Sequence, residues 1–457
     1  MLRARKETKR RKYSEFKLDA GSALQRCDEL LVAIYTKEAP KVRIRAGDDE
    51  LSDDVLRVFR RLGFPARDSA NAVAFYRSQR GGGDAASFFG KLADHAEIRC
   101  KASNPQCDSC SLVSFCSLGT KAILRSALGR ALVVDLCSGA GSLSAAFRQE
   151  GLRVILAVEK ERHAAQSYRL NNPGVQVIEA DVRHISSKTV LAMTGCSKGE
   201  VSVVISGPPC QGFSAAGSRK PSARQNFLYR SVARIAAGVD AAVVVMENVP
   251  GLRRVNGVPF ESRILRSFRA LDYRVKAFEV DSHDFGVPQH RRRLLFVGLR
   301  ARLGLEVVAP TPLNLKAKPP TVADALRGLP RPKTGHNGRF MINEEVLHNH
   351  RAMEHSEPVV KKIRGIMPGQ GPLSYRRLTW DTARTIVAGH RAMPVHPSAH
   401  RTITVREAAR IQTLPDWFRF LGPHSEQPLQ VANVVPFELA RSIARNVIGY
   451  LQLLATT

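Results

Sequence analysis

Residues 133–142 read Val133-Val-Asp-Leu-Cys-Ser-Gly-Ala-Gly-Ser142, and a helical pattern continues from them to Phe147. An apolar strand, a loop of small residues and a helix in this order form a cradle typical of nucleotide-binding α/β proteins. The glycines let a ligand approach the backbone, and the first turn of the helix offers free N–H groups. The spacing differs from the G-x-G-x-x-G of dinucleotide-binding proteins, which disfavours NAD.

Acidic residues follow the next two predicted strands. Glu159 comes directly after the apolar run 154–158, and Asp181 comes shortly after the run 175–178. Carboxylates at the carboxyl ends of neighbouring parallel strands are placed to accept hydrogen bonds from ribose hydroxyls. Each acid alone is more often a solvated strand end. Together with the glycine loop, they predict a nucleoside cofactor.

A cysteine stands in a stiff turn after a further apolar run. The run Val201-Ser-Val-Val-Ile205 leads into Gly207-Pro-Pro-Cys-Gln-Gly-Phe-Ser214. Two consecutive prolines restrict the backbone and stop the strand, so Cys210 is presented at the sheet edge where open α/β proteins place their chemistry. Free cysteines are also frequent in cores. The turn alone therefore leaves open both a nucleophile and a packed core residue.

A carboxylate and two arginines complete the candidate chemistry. Glu247 and Asn248 follow the run 241–246, and a carboxylate at the end of a strand buried on both faces needs a partner. Desolvation raises the pKa of such a group, which makes Glu247 a candidate general acid. Arg291 and Arg293 alternate in an extended segment and are expected to project on one side. A solvated basic edge is the alternative for these arginines.

These segments, in this order, resemble the C5-cytosine DNA methyltransferase family. The resemblance runs from about residue 130 to about residue 450 and rests on six stretches. They are Asp135-Leu-Cys-Ser-Gly-Ala-Gly141, Gly207-Pro-Pro-Cys-Gln-Gly-Phe-Ser214, Glu247-Asn-Val-Pro250, Gln289-His-Arg-Arg-Arg293, Val405-Arg-Glu-Ala-Ala-Arg-Ile-Gln-Thr-Leu-Pro-Asp416 and Gln430-Val-Ala-Asn-Val-Val-Pro436.

The resemblance implies a DNA (cytosine-5-)-methyltransferase mechanism. Cys210 adds to C6 of a cytosine flipped out of the duplex, which activates C5 to accept a methyl group from S-adenosylmethionine. Glu247 holds and protonates N3, and Asn248 orients the glutamate loop. Arg293, and as a second contact Arg291, binds the O2 edge and stabilises the charge that develops there.

The resemblance also implies a set of cofactor-binding residues. They are Asp135, Leu136, Ser138, Gly139, Ala140, Gly141, Glu159, Asp181, Pro209 and Asn433. Three positions depart from the family pattern. Cys137 stands where an aromatic residue usually packs beside the adenine, and Ser142 and Ala432 replace glycines. None of the three removes a reacting group.

Charge and hydropathy agree with a DNA-binding enzyme. The chain has 457 residues and a formal net charge of +29, which favours a polyanionic partner, double-stranded DNA rather than a membrane. We expect no transmembrane helix and no signal peptide, and hence a cytoplasmic protein of a prokaryotic cell. Residues 1–17 are basic and form either a phosphate-binding arm or a solvated tail. A restriction-modification setting would add a cognate restriction endonuclease as partner; the oligomeric state is not predictable.

Four of the eight cysteines lie close together, with the spacing C-x6-C-x2-C-x5-C. This favours a metal site over disulfides in a chain of intracellular character. The spacing resembles the iron–sulfur loop of endonuclease III-type DNA glycosylases, which implies a [4Fe–4S] cluster, with zinc or no metal as alternatives. No catalytic helix-hairpin-helix of a glycosylase is recognisable, so the cluster would be structural. The four residues are Cys100, Cys107, Cys110 and Cys116.

The chain divides into five predicted parts. A basic arm (1–17) precedes a helical module with the cysteine loop (18–120), in which Ser52 can cap a helix ending near Gly63 and Asp84 can start another. Residues 121–300 alternate strands and helices, typical of a doubly wound, mainly parallel sheet of the Rossmann-like methyltransferase class. Residues 301–400 form a target-recognition domain, and 401–457 return to the catalytic domain.

Base readout in the target-recognition domain needs side chains that donate to base edges. The candidates are Arg376, Arg377, Arg384, His390 and Arg391. Arg406, Glu407 and Gln412 are expected to hold the two lobes together. Three rival functions remain open at this point: a tRNA cytosine-5 methyltransferase, a DNA-binding protein without catalysis and a bifunctional base-excision enzyme.

Overall fold

The computed structural model describes residues 51, 53–61, 68–80, 85, 88–89, 91–93, 131–209, 224–313, 319–334, 347–372, 375–387 and 393–456. The chain forms two compact units, one up to residue 127 and one from 128 to 455. Several predictions fall outside the described residues. They concern the basic arm 1–17, the helix cap at Ser52, the four cysteines between 100 and 116, Cys210, His390 and Arg391.

The described part of the first unit is helical. Helix α1 spans Asp53–Arg61 and helix α2 spans Ser69–Arg80. Leu51 N–H donates to Ser69 Oγ (2.9 Å), which ties the start of one helix to the start of the other. The core is aromatic: Tyr76 stacks on Phe88 with ring centroids 4.6 Å apart. Phe59 lies against the same cluster.

The second unit is built on a seven-stranded sheet in the order β3-β2-β1-β4-β5-β8-β6. Only β8 runs against its neighbours, β5 and β6, so the sheet is mainly parallel. The mixed α/β architecture expected from the alternating pattern is confirmed. The strands are β1 Leu132–Leu136, β2 Arg153–Glu159, β3 Gln176–Glu179, β4 Val201–Ser206, β5 Val243–Asn248, β6 Tyr273–Asp281, β7 Gln289–His290 and β8 Arg292–Arg300.

Helices follow the strands and cover both faces. They are α3 Ser142–Gln149, α4 Arg162–Asn171, α5 Ser187–Thr194, α6 Leu228–Val239, α7 Phe260–Arg269, α8 Val322–Leu326, α9 Glu357–Arg364, α10 Val405–Ile411, α11 Gln427–Asn433 and α12 Phe437–Thr456. Short 3-10 turns occur at Val182–His184, Arg224–Phe227, Pro250–Arg253, Ser282–Phe285 and Ala301–Leu303. Three further two-residue strands are β9 Lys333–Thr334, β10 Arg351–Ala352 and β11 Ala383–Arg384.

Successive residues of each central strand face opposite sides, which gives two cores. Val133 packs with Phe147 of α3 and with helices α10 to α12, whereas Val134 packs with helices α5, α6 and α7. Alternation of this kind follows from the two-residue repeat of a strand. Because both faces are covered, the central strands β1, β4 and β5 are mainly apolar and carry polar side chains towards their ends, whereas the edge strand β6 exposes Arg274 and Lys276.

The C-terminal helix α12 belongs to the same core as the sheet. Ile443 and Val447 are buried beside Val133. Tyr450 fixes the helix to the segment after β8, because its hydroxyl accepts a hydrogen bond from Val308 N–H (2.8 Å) and donates to Val308 O (2.9 Å). Within the described residues, no helix is long and apolar enough to cross a membrane.

Candidate active site

Glu247 and Arg293 form a buried ion pair where β5 and β8 lie side by side. Arg293 Nε is 2.5 Å from Glu247 Oε1, and the two side chains are 7% and 12% exposed. The two groups are close without the alignment of an N–H···O hydrogen bond. A second nitrogen of the guanidinium, Nη1, donates to Arg292 O (2.8 Å). The pairing that a buried carboxylate at this strand end requires is therefore supplied by Arg293.

Asn248 connects the glutamate loop to the proline turn. Its Nδ2 donates to Pro208 O (3.2 Å), and its Oδ1 accepts from Val249 N–H (2.9 Å). A Cβ added at Gly207 would lie 3.9 Å from Glu247 Oε2, so the proline turn passes directly beside the carboxylate. Pro209 ends the described part of this turn, one residue before Cys210. These contacts hold the glutamate loop against the proline turn.

The glycine loop after β1 meets the tip of β2. Gly139 N–H donates to Glu159 Oε2 (2.7 Å), and Glu161 N–H donates to Glu159 Oε1 (2.8 Å). Gly139 has φ +56° and a Cβ there would meet nothing within 4 Å, so this glycine faces open space. The pKa of Glu159 is raised, because the effect of burial exceeds the opposing effect of the backbone hydrogen bonds.

The other glycine of the loop, Gly141, is required by packing. A Cβ at this position would lie 2.3 Å from Asn172 Nδ2 and 2.6 Å from Tyr168 Cδ2, and φ is +88°. Asn172 Nδ2 also donates to Gly141 O (3.1 Å). Glycine lets the loop approach α4 this closely and adopt the left-handed conformation.

Asp135 lies at the floor of the loop and is buried. Its Oδ2 accepts from Ser144 Oγ (2.6 Å), and Ser144 Oγ in turn accepts from Tyr168 Oη (2.7 Å). Burial raises the pKa of Asp135 to about 7, opposed by the Ser144 hydrogen bond. Oδ1 has no hydrogen-bond partner among the described residues. A buried, unpaired carboxylate oxygen beside an open glycine loop fits a cofactor that carries positive charge, such as the sulfonium and ammonium groups of S-adenosylmethionine.

Three other predicted cofactor positions have defined surroundings. Asp181 accepts from Arg183 N–H, Nε and Nη2 at 2.7–3.0 Å, and these hydrogen bonds lower its pKa to about 2. Asn433 is exposed at the end of α11. Cys137, in place of the family's aromatic residue, has φ +56°. Burial, with Glu159 nearby, raises the pKa of the Cys137 thiol, so it is neutral.

Comparison with known proteins identifies this arrangement. Residues 132–449 match the family described as C-5 cytosine-specific DNA methylase. The chain belongs to this family.

Individual relatives agree with that assignment. The type II methyltransferase M1.HphI of Haemophilus parahaemolyticus is 35% identical over 332 residues, covering 69% of this chain and 86% of the relative. The type II methyltransferase M.DdeI of Desulfomicrobium norvegicum is 28% identical over 373 residues, covering 70% and 89%. A crystal structure of a prophage-encoded DNA modification methyltransferase of E. coli superposes with a TM-score of 0.59 at 26% identity, covering 71% of this chain and 99% of that one. The activity is DNA cytosine-5 methylation, and the family's cofactor is S-adenosylmethionine.

Within this C-5 methylase, Arg291 is placed differently from the expectation. Its guanidinium is buried and donates to three backbone carbonyls: Ile386 O (3.3 Å), Ala432 O (2.7 Å) and Val434 O (3.0 Å). Arg291 and Arg293 are both buried, with exposed Arg292 between them, but only Arg293 pairs with Glu247. The contact of Arg291 with the base is therefore not supported, because the residue is buried and both of its terminal nitrogens donate to the backbone of other segments.

Arg377 also departs from its predicted role in base readout. It is buried, and its guanidinium donates to Ile366 O (2.6 Å), Ile363 O (2.7 Å), His396 O (2.9 Å) and Ala399 O (3.1 Å). Four of its five N–H groups donate to these carbonyls and the residue is 4% exposed, so Arg377 holds the loops together rather than reading a base. Of the other candidates, Arg384 is exposed and Arg376 is partly exposed.

Of the three predicted lobe-holding residues, Arg406 and Gln412 bind other segments, whereas Glu407 makes local contacts. Arg406 is fully buried and donates to His348 O (2.9 Å) and Phe418 O (2.6 Å). Glu407 closes the capping box with Thr404 and binds Arg401. Gln412 Nε2 donates to Val431 O (2.6 Å) at the end of α11.

Several supporting residues of the cofactor loop were missed by sequence reasoning. Ser144 and Tyr168 line up behind Asp135, and Asn171 and Asn172 donate to the carbonyls of the glycine loop. The only local signal was the spacing on α4, where residues 168, 171 and 172 share one face. Among the described residues, no cluster of three or more His, Cys, Asp or Glu residues could hold a metal ion.

Proposed function

We propose that this methylase acts on a cytosine flipped out of a specific duplex DNA sequence, through a covalent bond between Cys210 and C6. The observation that carries the proposal is the buried Glu247–Arg293 pair beside the proline turn. A carboxyl group and a guanidinium held together in this way match the N3 and O2 edge of one pyrimidine ring.

The reaction begins with addition of the Cys210 thiolate to C6. The charge that the ring gains is drawn towards N3, where Glu247 donates a proton, and towards O2, where Arg293 donates hydrogen bonds. C5 then becomes nucleophilic enough to accept a methyl group. Water takes the C5 proton, N3 returns its proton to Glu247, and the Cys210–C6 bond breaks with its electron pair leaving on sulfur, which restores the aromatic ring and the enzyme.

The ion pair prepares the site before a base arrives. Two charged groups taken out of water are costly unless they are paired. Arg293 and Glu247 partner one another, and the incoming cytosine replaces these contacts with its own N3 and O2. As the cytosine enters, Glu247 takes up a proton from solvent, and this is the proton that it donates to N3. Asn248 keeps the glutamate loop in register with the turn that precedes Cys210. The cytosine has to leave the helix to reach this site, at a cost of a few kcal/mol.

S-adenosylmethionine, when bound, supplies an electrophilic methyl group on its sulfonium. The residues proposed to hold it are those of the glycine loop with Asp135, Glu159 and Asp181, together with Pro209 and Asn433. The open space at Gly139 and the unpaired Asp135 Oδ1 support this assignment. Glu159 remains the proposed acceptor for ribose hydroxyls, although both oxygens already accept one backbone N–H each.

The four-cysteine loop is proposed to bind a [4Fe–4S] cluster, with zinc as the alternative. The support is its sequence spacing alone, C-x6-C-x2-C-x5-C, since the loop lies outside the described residues. Anaerobically purified protein should contain iron and sulfide in equal amounts. If the purified protein contained stoichiometric zinc and no iron, the loop would be a zinc site and not an iron–sulfur site.

The biological setting is proposed to be restriction-modification in a prokaryotic cytoplasm. Two of the similar proteins named above are type II methyltransferases, the class that protects DNA from a restriction endonuclease. The net charge of +29 supports a DNA partner. The proposal of a cognate restriction endonuclease as partner rests on this setting alone.

The decisive experiment maps methylation and traps the intermediate. Bisulfite mapping of DNA from cells expressing the chain should show 5-methylcytosine at one recurrent sequence. A duplex with 5-fluorocytosine at that site should form a covalent adduct with the protein and not with Cys210→Ser. Methylation by Cys210→Ser would refute the nucleophile. Labelled methyl transfer to tRNA but not to duplex DNA would refute the substrate.

A further inference from the structure

The buried side chain of Arg291 binds the backbone on both sides of Asn433, a residue of the proposed cofactor site. Its Nη2 donates to Ala432 O (2.7 Å) and Val434 O (3.0 Å), the carbonyls on either side of Asn433. Nη1 donates to Ile386 O (3.3 Å). The side chain is 2% exposed. The same guanidinium nitrogen therefore binds the carbonyls of both residues that neighbour Asn433.

The backbone of Arg291 is fixed as well. Its N–H donates to Asp281 Oδ1 (2.9 Å), and its carbonyl accepts from Ser282 N–H (3.1 Å) and Ser282 Oγ (3.0 Å). Two residues further on, Arg293 pairs with Glu247. The short segment 291–293 thus spans from the base-binding pair to the segment that carries Asn433.

The bound carbonyls belong to the end of a helix. Helix α11 ends at Asn433, where the last carbonyls have no intrahelical partner. Gln412 Nε2 takes Val431 O (2.6 Å), and Arg291 takes Ala432 O and Val434 O. A guanidinium is suited to this place because its charge complements the helix end and its donors reach several acceptors at once. With the carbonyls of both neighbouring residues bound, the backbone at exposed Asn433 is held in place.

We propose that Arg291 is a positioning residue for the cofactor: it holds Asn433 in place to bind S-adenosylmethionine, whereas Arg293 serves the cytosine. This inference rests on the proposed cofactor role of Asn433. The two buried arginines of segment 291–293 thus have different roles: Arg291 supports cofactor binding, and Arg293 binds the cytosine.

Binding of S-adenosylhomocysteine, measured by calorimetry without DNA, tests the proposal in four proteins: wild type, Arg291→Lys, Asn433→Ala and the double variant. Asn433→Ala should weaken binding about tenfold, the effect of one good hydrogen bond. Arg291→Lys keeps the charge but cannot span the same carbonyls, and should weaken binding about fivefold. Because both act through one contact, the double variant should bind about as weakly as Asn433→Ala alone.

Arg293→Lys is the matched control, a buried arginine two residues further along the same segment. It should lower kcat strongly and leave the dissociation constant of S-adenosylhomocysteine unchanged, whereas Arg291→Lys should raise the KM for S-adenosylmethionine with kcat within about twofold at saturation. A double variant whose loss is the product of the two single losses would overturn the proposal, as would an Arg291→Lys that impairs DNA binding and spares the cofactor.

The test survives a folding failure of Arg291→Lys. Asn433 is exposed, so Asn433→Ala should melt like the wild type, and an unchanged dissociation constant in that variant alone sinks the inference. These readouts concern cofactor binding without turnover. They can therefore fail while Cys210 still forms its adduct with DNA, and the reverse.

Discussion

Asn171 and Arg419 are joined by a reciprocal pair of hydrogen bonds between segments 248 residues apart in sequence. Asn171 Nδ2 donates to Arg419 O (2.8 Å), and Asn171 Oδ1 accepts from Arg419 N–H (2.8 Å). The same Nδ2 also lies 3.3 Å from Ala140 O in the glycine loop. One amide at the end of α4 thus links the cofactor loop to the segment that follows α10.

Replacement of Asn171 by alanine should destabilise the fold by about 2–4 kcal/mol, because two backbone groups of Arg419 lose their partners in a buried site. Urea unfolding measures the free energy. The matched control is Arg169→Ala on the exposed side of the same helix, where an ion pair with Glu179 is lost. A surface pair is worth about 1 kcal/mol or less. Equal losses in the two variants would argue against the link.

The two glycines of the cofactor loop should respond differently to alanine. Gly141→Ala places a Cβ 2.3 Å from Asn172 Nδ2 in a left-handed conformation, so we expect a stability loss of about 2–4 kcal/mol. Gly139→Ala meets open space and carries only the backbone strain, about 1–2 kcal/mol. Its methyl group enters the volume assigned to the cofactor. We therefore expect a marked loss of affinity for S-adenosylhomocysteine and only a small decrease in melting temperature. Gly139→Ala with unchanged affinity would place the cofactor elsewhere.

Polar residues at strand ends were predictable from sequence, and buried arginines were not. Glu159 and Glu247 follow apolar runs, and parallel strands bring such ends to one edge, so their positions follow from local pattern. The partners of Arg291 lie 95, 141 and 143 residues away, and nothing near residue 291 indicates them. Arginine at an alternating position looks the same whether it faces a base or a set of carbonyls.

The surroundings of Cys137, which departs from the family pattern, were not predictable from the sequence. Cys137 adopts φ +56° where an aromatic residue was expected, and it is partly buried against the core that contains Val134. A single sequence shows the replacement but not what fills the space beside the adenine. Cys210 and the four-cysteine loop lie outside the described residues, so their roles stay predictions.

The stability of the methylase should depend on pH through Asp135. Its pKa is raised from 3.8 to about 7 by burial, so the native state holds a proton that the unfolded state releases above about pH 4. Stability attributable to this group is therefore highest at low pH and is lost as the pH rises towards 7, by up to about 4 kcal/mol.

Asp135→Asn isolates this contribution, since the amide oxygen can still accept from Ser144 and does not ionise. The unfolding free energy of the wild type minus that of the variant should fall between pH 5 and pH 8. Cofactor affinity of the wild type should rise over the same interval, because a cationic ligand favours the carboxylate. A constant difference in unfolding free energy would mean that Asp135 titrates normally.

Arg377 and Arg384, seven residues apart, should separate fold stability from DNA binding. Arg377→Met removes four hydrogen bonds to carbonyls of residues 363, 366, 396 and 399, so we expect a loss of about 3–5 kcal/mol. Arg384 lies in strand β11, where it pairs with His290 of β7, and its side chain is exposed. Arg384→Met should therefore leave the melting temperature unchanged. If Arg384 binds a phosphate, the salt dependence of DNA affinity in that variant falls by about one counterion; if it reads a base, affinity falls mainly for the methylated sequence. An Arg384→Met protein with wild-type affinity and salt dependence would exclude this strand pair from the DNA interface.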